Sequence, residues 1–270
     1  MKPTISELSY AFALTENLVH QSGRTLVSAP TLPSTTDEGK KGGGYDLKLS
    51  FPGFGLFLQF KLSECMSYAS STEFIKGAFQ QEVGGKKLPV YRFYLRPLAK
   101  SRQTTLMLKL ERRHHFVYYA AALFHTSEEL TSYYSARSVA EQSRFFRPSV
   151  IRKMPDDKEH FVSFRDSGKP WRFSDEPVEL EPADTADQLL TKAASTSAMR
   201  LTVEQVATEA LAAMLDVLED ASEEGDRKLS ETEKEDYKRL RSLNLPVLAK
   251  AEFVARAYFD SAFITLASDA

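Results

Sequence analysis

The sequence predicts a mixed fold, α/β in content and α+β in arrangement: a sheet flanked by helices, with a C-terminal α-helical region. Three observations predict it. Segments 45–51 and 56–61 alternate apolar and other residues at strand period, around the turn-like Pro52-Gly53-Phe54-Gly55. The run Phe116 to Phe124, FVYYAAALF, is apolar throughout and reads as a buried strand. Apolar residues elsewhere recur at helical spacing, notably in 6–21, 101–112 and from residue 202 onward.

The elements follow in order. Ser6 to Gln21 reads as a helix with Ile5, Leu8, Phe12 and Val19 near one face. Arg24 to Ser28 is a candidate short strand, and Pro30 to Gly44 is a loop by its prolines and glycines. The two alternating segments come next as a hairpin. Val90 to Leu95, VYRFYL, has the aromatic content of a strand. Ser101 is placed to cap a helix reaching Arg112. After the strand 116–124, Thr126 and Glu129 form a capping box that starts a helix extending to Ser143. His160 to Arg165 reads as a short strand. Residues 174–199, rich in Asp, Glu, Pro, Ser, Thr and Ala, read as an acidic linker. Thr202 and Gln205 suit a second capping box, followed by a stripe of Val203, Val206, Ala210, Met214 and Leu218. A further helix begins near Ser230, and a last one runs from Val247 to Ser268 after Pro246. The expected division is a domain at 1–173, a linker at 174–199 and a helical appendage at 200–270.

Composition narrows the function classes. The single cysteine, Cys65, excludes an internal disulfide and fits a reducing compartment. The first residues carry no apolar signal core, and 116–124 is too short to cross a bilayer, so a soluble cytoplasmic protein with no membrane partner is expected. The net charge of −2 conceals an asymmetry. Residues 1–173 hold 25 Lys and Arg against 16 Asp and Glu, a balance of +9; residues 174–270 hold 10 against 21, a balance of −11. Such a split suits a polyanion-binding part beside an acidic part, or plain drift between two domains.

The hairpin carries the chemistry. Pairing 45–51 with 56–61 around the turn sets Leu49 against Leu58 and Leu47 against Phe60, gathering the apolar residues on one face apart from Phe57. The other face then holds Asp46 opposite Lys61 and Lys48 opposite Gln59. Strand period two points Gln59 and Lys61 the same way. A carboxylate and an amide oxygen are hard ligands suited to magnesium, and a lysine beside them can steady a charged phosphate transition state.

Asp46, within Gly44-Tyr45-Asp46, followed by Gln59-Phe60-Lys61, resembles the PD-(D/E)xK nuclease superfamily in a QxK variant. The order of elements over roughly the first 125 residues is also similar to that superfamily's α-β-β-β-α-β core, with 90–95 as an insertion. Tyr45 stands in place of the motif's proline, and Gln59 where a carboxylate is usual. The resemblance implies a restriction-endonuclease-like mixed sheet and metal-dependent endonuclease activity. It implies Asp46, Gln59 and Lys61 as catalytic residues, and Mg2+ or Mn2+ held by Asp46 and Gln59. Glu7, in the first turn of the first helix, is the preferred additional metal ligand; Glu16 and Glu38 are alternatives. Gln103 shares a helix face with Leu106, Met107 and Leu110 and should point toward the polar cluster, or else satisfy a backbone group. Lys48, Lys40, Lys41 and Arg102 are candidate nucleic-acid contacts, with double-stranded DNA the first choice of substrate. A restriction or antiphage defence role would add a regulatory protein partner or a homo-oligomer. The alternative is a nuclease-like subunit without catalysis that binds nucleic acid or protein.

Other basic residues read less specifically. Arg112, Arg113, His114 and His115, with Arg92, Arg96 and Lys100, could meet phosphate or could simply end a helix. Gly39-Lys40-Lys41-Gly42 is no phosphate-binding loop, because Ser or Thr does not follow the lysine and a strand comes next instead of a helix. His125 reads as structural.

Overall fold

The computed structural model describes residues 1–22, 49–50, 54–80, 82–83, 86–87, 89–97, 103–113, 116–151, 158–174, 176–196, 203–223, 235, 245–259 and 262–266. The expected strand at 24–28 lies outside them, as does the helix expected from Ser230 except for Glu235, which is helical. Also outside them are Asp46, Glu38, Lys40, Lys41, Lys48, Lys100, Ser101, Arg102, His114, His115 and Thr202.

The chain is mixed α and β, as its patterns predict, with one mixed and one antiparallel five-stranded sheet. The central sheet contains β1 (Leu49–Ser50), β2 (Phe54–Lys61), β7 (Val117–Ala122), β8 (Ser143–Phe146) and β12 (Ala262–Leu266), in the order β1-β12-β2-β7-β8. The second sheet contains β3 (Glu64–Met66), β6 (Val90–Leu95), β9 (His160–Phe164), β10 (Trp171–Phe173) and β11 (Val178–Glu179), in the order β11-β10-β9-β6-β3. Strands β4 (Glu82–Val83) and β5 (Lys86–Lys87) pair with each other. The helices are α1 (Glu7–Gln21), α2 (Thr72–Ile75), α3 (Gln103–Arg113), α4 (Ser127–Ser135), α5 (Pro148–Ile151), α6 (Ala186–Thr196), α7 (Val203–Glu223) and α8 (Val247–Phe259).

β2 and β7 run parallel, with Gln59 beside Tyr119 and Lys61 beside Ala121. Parallel neighbours need a long crossover, and here it comprises β3 and β6 of the second sheet, with α2, β4 and β5 between them, followed by α3. Every residue of β7 is buried because the sheet is covered on both faces. On one face Leu56, Leu58 and Phe60 pack with Tyr118, Ala120 and Ala122 against α1, through Tyr10, Leu14 and Leu18. On the other, Phe57, Val117, Tyr119 and Ala121 meet Met107 and Leu110 of α3, Ala210 and Met214 of α7, and Phe93 and Phe164 of the second sheet. The apolar side of β2 is therefore a true core face, and Phe57, the exception in the expected hairpin, is core on the opposite side.

The partner of that hairpin differs from expectation. β1 does not pair with β2: β12 lies between them, parallel to β1 (Leu49 with Ile264) and antiparallel to β2 (Leu56 with Ile264, Leu58 with Ala262). The cross-strand pairs expected between 45–51 and 56–61 are accordingly not the ones formed by Leu49, Leu56 and Leu58. The physical reason is in the competitor. Ala262-Phe263-Ile264-Thr265-Leu266 is rich in β-branched and aromatic residues and gives β2 five paired residues. Phe54 and Gly55, read as turn, already belong to β2. The last helix correspondingly stops at Phe259 instead of reaching Ser268.

Further differences follow from burial. α4 ends at Ser135, and Arg137 adopts a left-handed φ of 54°, so the chain turns and enters β8 where a continuing helix was expected. Residues 174–199, expected as a linker, contain β11 and α6 and bury Leu180, Ala186 and Leu189. Ala207, Ala210, Met214, Ala251, Val254 and Ala255 of the expected appendage share one apolar cluster with Phe57, Met107 and Tyr119. The boundary drawn at residue 200 thus runs through a common core. Strand 90–95, expected as an insertion, pairs with His160–Phe164 to build the middle of the second sheet.

Candidate functional site

β2 ends at Lys61, on the face that carries Phe57 and Gln59. α3 crosses this face with Gln103, Met107 and Leu110 in one stripe, four and three residues apart. Met107 and Leu110 are wholly buried and seat the helix on the sheet. Its far end is fixed by Glu111, whose carboxylate accepts from Arg147 Nε at 2.7 Å, Ser149 Oγ at 2.7 Å and the Ser149 amide. That carboxylate also satisfies an amide at the start of α5.

With α3 so held, Gln103 comes to lie over the end of β2. Lys61 Nζ donates to Gln103 Oε1 at 2.9 Å, and Gln103 Nε2 donates to Gln59 Oε1 at 2.7 Å. The sense of this chain is forced. An ammonium only donates, so Gln103 must offer its oxygen; its NH2 is then left to donate, and Gln59 must offer its oxygen. Gln59 and Gln103 are 2% and 6% exposed, so each amide would be costly to bury without the other. Lys61 is half-buried, with its ammonium 5.9 Å from the centre of the Tyr119 ring.

Three of the expected site residues are therefore joined: Gln59, Lys61 and Gln103. Glu7 and Glu16 are not placed alike. Nine residues at 100° each set them half a turn apart on α1, so they cannot share a target. Glu7 follows the N-cap Ser6 and precedes Tyr10, whose ring meets Phe60 at 6.1 Å. Thr4 N donates to His125 O, just past the end of β7, and the Met1 ammonium bonds the Cys65 carbonyl, four residues beyond Lys61. The start of α1 thus stands at the end of the sheet where Lys61 lies, though on the other face. Among the described residues no three His, Cys, Asp or Glu side chains gather as a metal group; Asp46 and Glu38 lie outside those residues.

Two other expectations resolve as structure. Arg92 is bound by Glu64 of β3 and Glu73 of α2, and its guanidinium lies 4.4 Å from the Phe161 ring centre. His125 gives its amide to Glu129 at the α4 cap. Sequence reading passed over Tyr119 and Glu111. Tyr119 lies inside an apolar run that signals only burial, and Glu111 in a charged helix end, so neither had a local pattern to mark it.

Compared with family models, curated proteins and solved structures, the chain has no match in any of the three.

Proposed function

We propose that the chain is a metal-dependent nuclease of the PD-(D/E)xK kind that hydrolyses phosphodiester bonds in nucleic acid, double-stranded DNA first. The observation that carries this reading is the directional chain Lys61–Gln103–Gln59 at the end of β2. It holds an ammonium and a hard amide oxygen on one sheet face, with a residue of a crossing helix fixing both. The restriction-endonuclease-like fold and a place in a restriction or antiphage defence system, with a regulatory partner, belong to the same reading.

The donor set fits a hard cation. Gln59 Oε1 keeps a second lone pair beyond the one Gln103 uses, and neither a thiolate nor an imidazole belongs to the joined trio, so magnesium or manganese suits it better than zinc. Asp46 and Gln59 would hold the ion, with Glu7 the preferred third ligand and Glu16 or Glu38 in reserve. When bound, the ion supplies an acidified water and neutralises charge on the phosphate. Lys61 places its ammonium against the developing phosphorane charge, and Gln103 keeps that ammonium and the Gln59 oxygen at fixed positions.

The test is nicking of supercoiled plasmid by the purified protein with magnesium or manganese. Lys61→Ala and Asp46→Ala are each expected to lower the rate by about 10²-fold or more. Cleavage unchanged in both variants would sink the reading. A second reading, a nuclease-like binding subunit without catalysis, is favoured by one observation: Gln59 is neutral and already accepts a bond from Gln103. Gln59→Glu separates the two. Cleavage that appears only in this variant points to the binding subunit.

A further inference from the structure

We propose that Tyr119 is a positioning residue for Lys61, an inference that deepens the nuclease reading above and rests on it. Lysine ends in a compact ammonium on a flexible four-carbon stem, and one hydrogen bond leaves it free to pivot. Here two elements converge on it. α3 supplies the Gln103 oxygen at 2.9 Å, and β7 supplies the face of Tyr119, with the ammonium 5.9 Å from the ring centre. Tyr119 sits beside Gln59 in the parallel register, so its side chain leaves the sheet on the same face as the amide and the lysine.

The ring is itself braced. Tyr119 is fully buried and stacks on Phe93 of the second sheet, with centroids 6.2 Å apart and planes at 25°. Phe93 in turn meets Phe146 at 5.3 Å and Phe164 at 6.1 Å, both edge-on. The aromatic column therefore carries the position of the second sheet to the end of β2. A cation over a ring face is drawn to its quadrupole, and the attraction grows as water is removed. An aliphatic side chain of similar size would fill the space and offer no such attraction. The ring and the Gln103 oxygen both bear on the place of the ammonium, and the second sheet becomes part of the site's support.

The experiment compares Tyr119→Phe with Tyr119→Leu in the full chain. The first readout is independent of activity. Lysine amines are ¹³C-methylated and the Lys61 methyl signal, assigned through Lys61→Arg, is examined for the upfield shift that a ring face imposes. Tyr119→Phe keeps that shift, and Tyr119→Leu loses it. The second readout is plasmid nicking, where Tyr119→Leu is expected to be slower than Tyr119→Phe by about 3- to 30-fold. A Lys61 signal that is the same in both variants overturns the proposal. Equal nicking rates do so as well, provided the wild type cleaves. If the wild type does not cleave, the nuclease reading fails and the methyl signal alone decides the role of the ring. Should Tyr119→Leu not fold, 3,4,5-trifluorophenylalanine at position 119 keeps the shape and weakens the quadrupole. It is expected to slow cleavage relative to Tyr119→Phe and to loosen the Lys61 methyl signal, and an unchanged signal overturns the proposal.

Discussion

Two polar clusters begin within three residues of each other, at Lys61 and at Glu64, and they are built from opposite materials. On the central sheet an ammonium and two neutral amides form a chain with a forced direction. On the second sheet Glu64, Arg92 and Ser163 stand abreast on neighbouring strands, and Glu73 of α2 lies against them. Arg92 bonds Glu64 at 2.9 Å and Glu73 at 3.2 Å, and Ser163 Oγ donates to Glu73 at 3.1 Å. The second cluster sets one guanidinium between two carboxylates, charge against charge, as a structural tie does. The first passes hydrogen bonds from an ammonium through two neutral amides and leaves each in a definite orientation, as the proposed site would need. The difference teaches that burial alone does not tell two polar clusters apart; what separates them is whether the arrangement orients a neutral amide chain or ties charge to charge.

The largest stability effect should come from the second cluster. Glu73 is 1% exposed, and among the described residues only its Oε1 has a hydrogen-bond partner. Arg92→Ala would leave that carboxylate buried without its counter-charge, at a cost of about 3 kcal/mol or more. Chemical denaturation of the full chain measures this. A cost below ~1 kcal/mol would show that the tie is ornamental and would break the comparison. The amide chain should respond less. Gln59→Leu takes from the Gln103 NH2 its Gln59 acceptor, at roughly 1–3 kcal/mol, whereas the double change Gln59→Leu with Gln103→Leu removes donor and acceptor together. The double variant is expected to be more stable than the sum of the two single costs implies, a positive coupling that a double-mutant cycle reads directly. Additive costs would mean that the two amides are not partners.

How much of this was legible depends on whether the deciding interaction is local. The α4 cap was, because Thr126 and Glu129 stand three residues apart and the capping box closes as expected. The face of β2 was, because alternation separates Leu56, Leu58 and Phe60 from Gln59 and Lys61 whatever strand lies alongside. Gln103 could be aimed at the cluster because helix period fixed its stripe with Met107 and Leu110. The neighbour of β2 was not legible. A turn-like Pro52-Gly53 argues for a hairpin, and nothing local announces that residues 262–266, some two hundred positions later, compete for the same edge. The second sheet was hidden for a similar reason: β3, β10 and β11 have two or three residues each, too few for any period to register. Segment 174–199 looked like a linker from composition because its few buried residues, Leu180, Ala186 and Leu189, are spread among charges.

The smallest effect sharpens the comparison from outside both clusters. Glu129 is a carboxylate satisfied by backbone instead of by Arg or by an amide: the amides of His125 and Thr126 each donate to its Oε2 at 2.9 Å. Partial burial would raise its pKa, but these bonds and the Thr126 hydroxyl outweigh that and hold the carboxyl below its ordinary range. A pKa that is lower in the folded state than in the unfolded one stabilises the fold above the unfolded value. That stability fades as pH falls through the folded value. Thr126→Ala should therefore cost about 1 kcal/mol at neutral pH. Glu129→Gln should lose stability at neutral pH and narrow its gap to the wild type as the solution is acidified below pH ~4. Thermal melts of the three proteins at neutral and acid pH measure both. If the gap between Glu129→Gln and the wild type is the same at both pH values, the carboxylate's charge contributes nothing to the cap, and its two backbone bonds act as neutral ones.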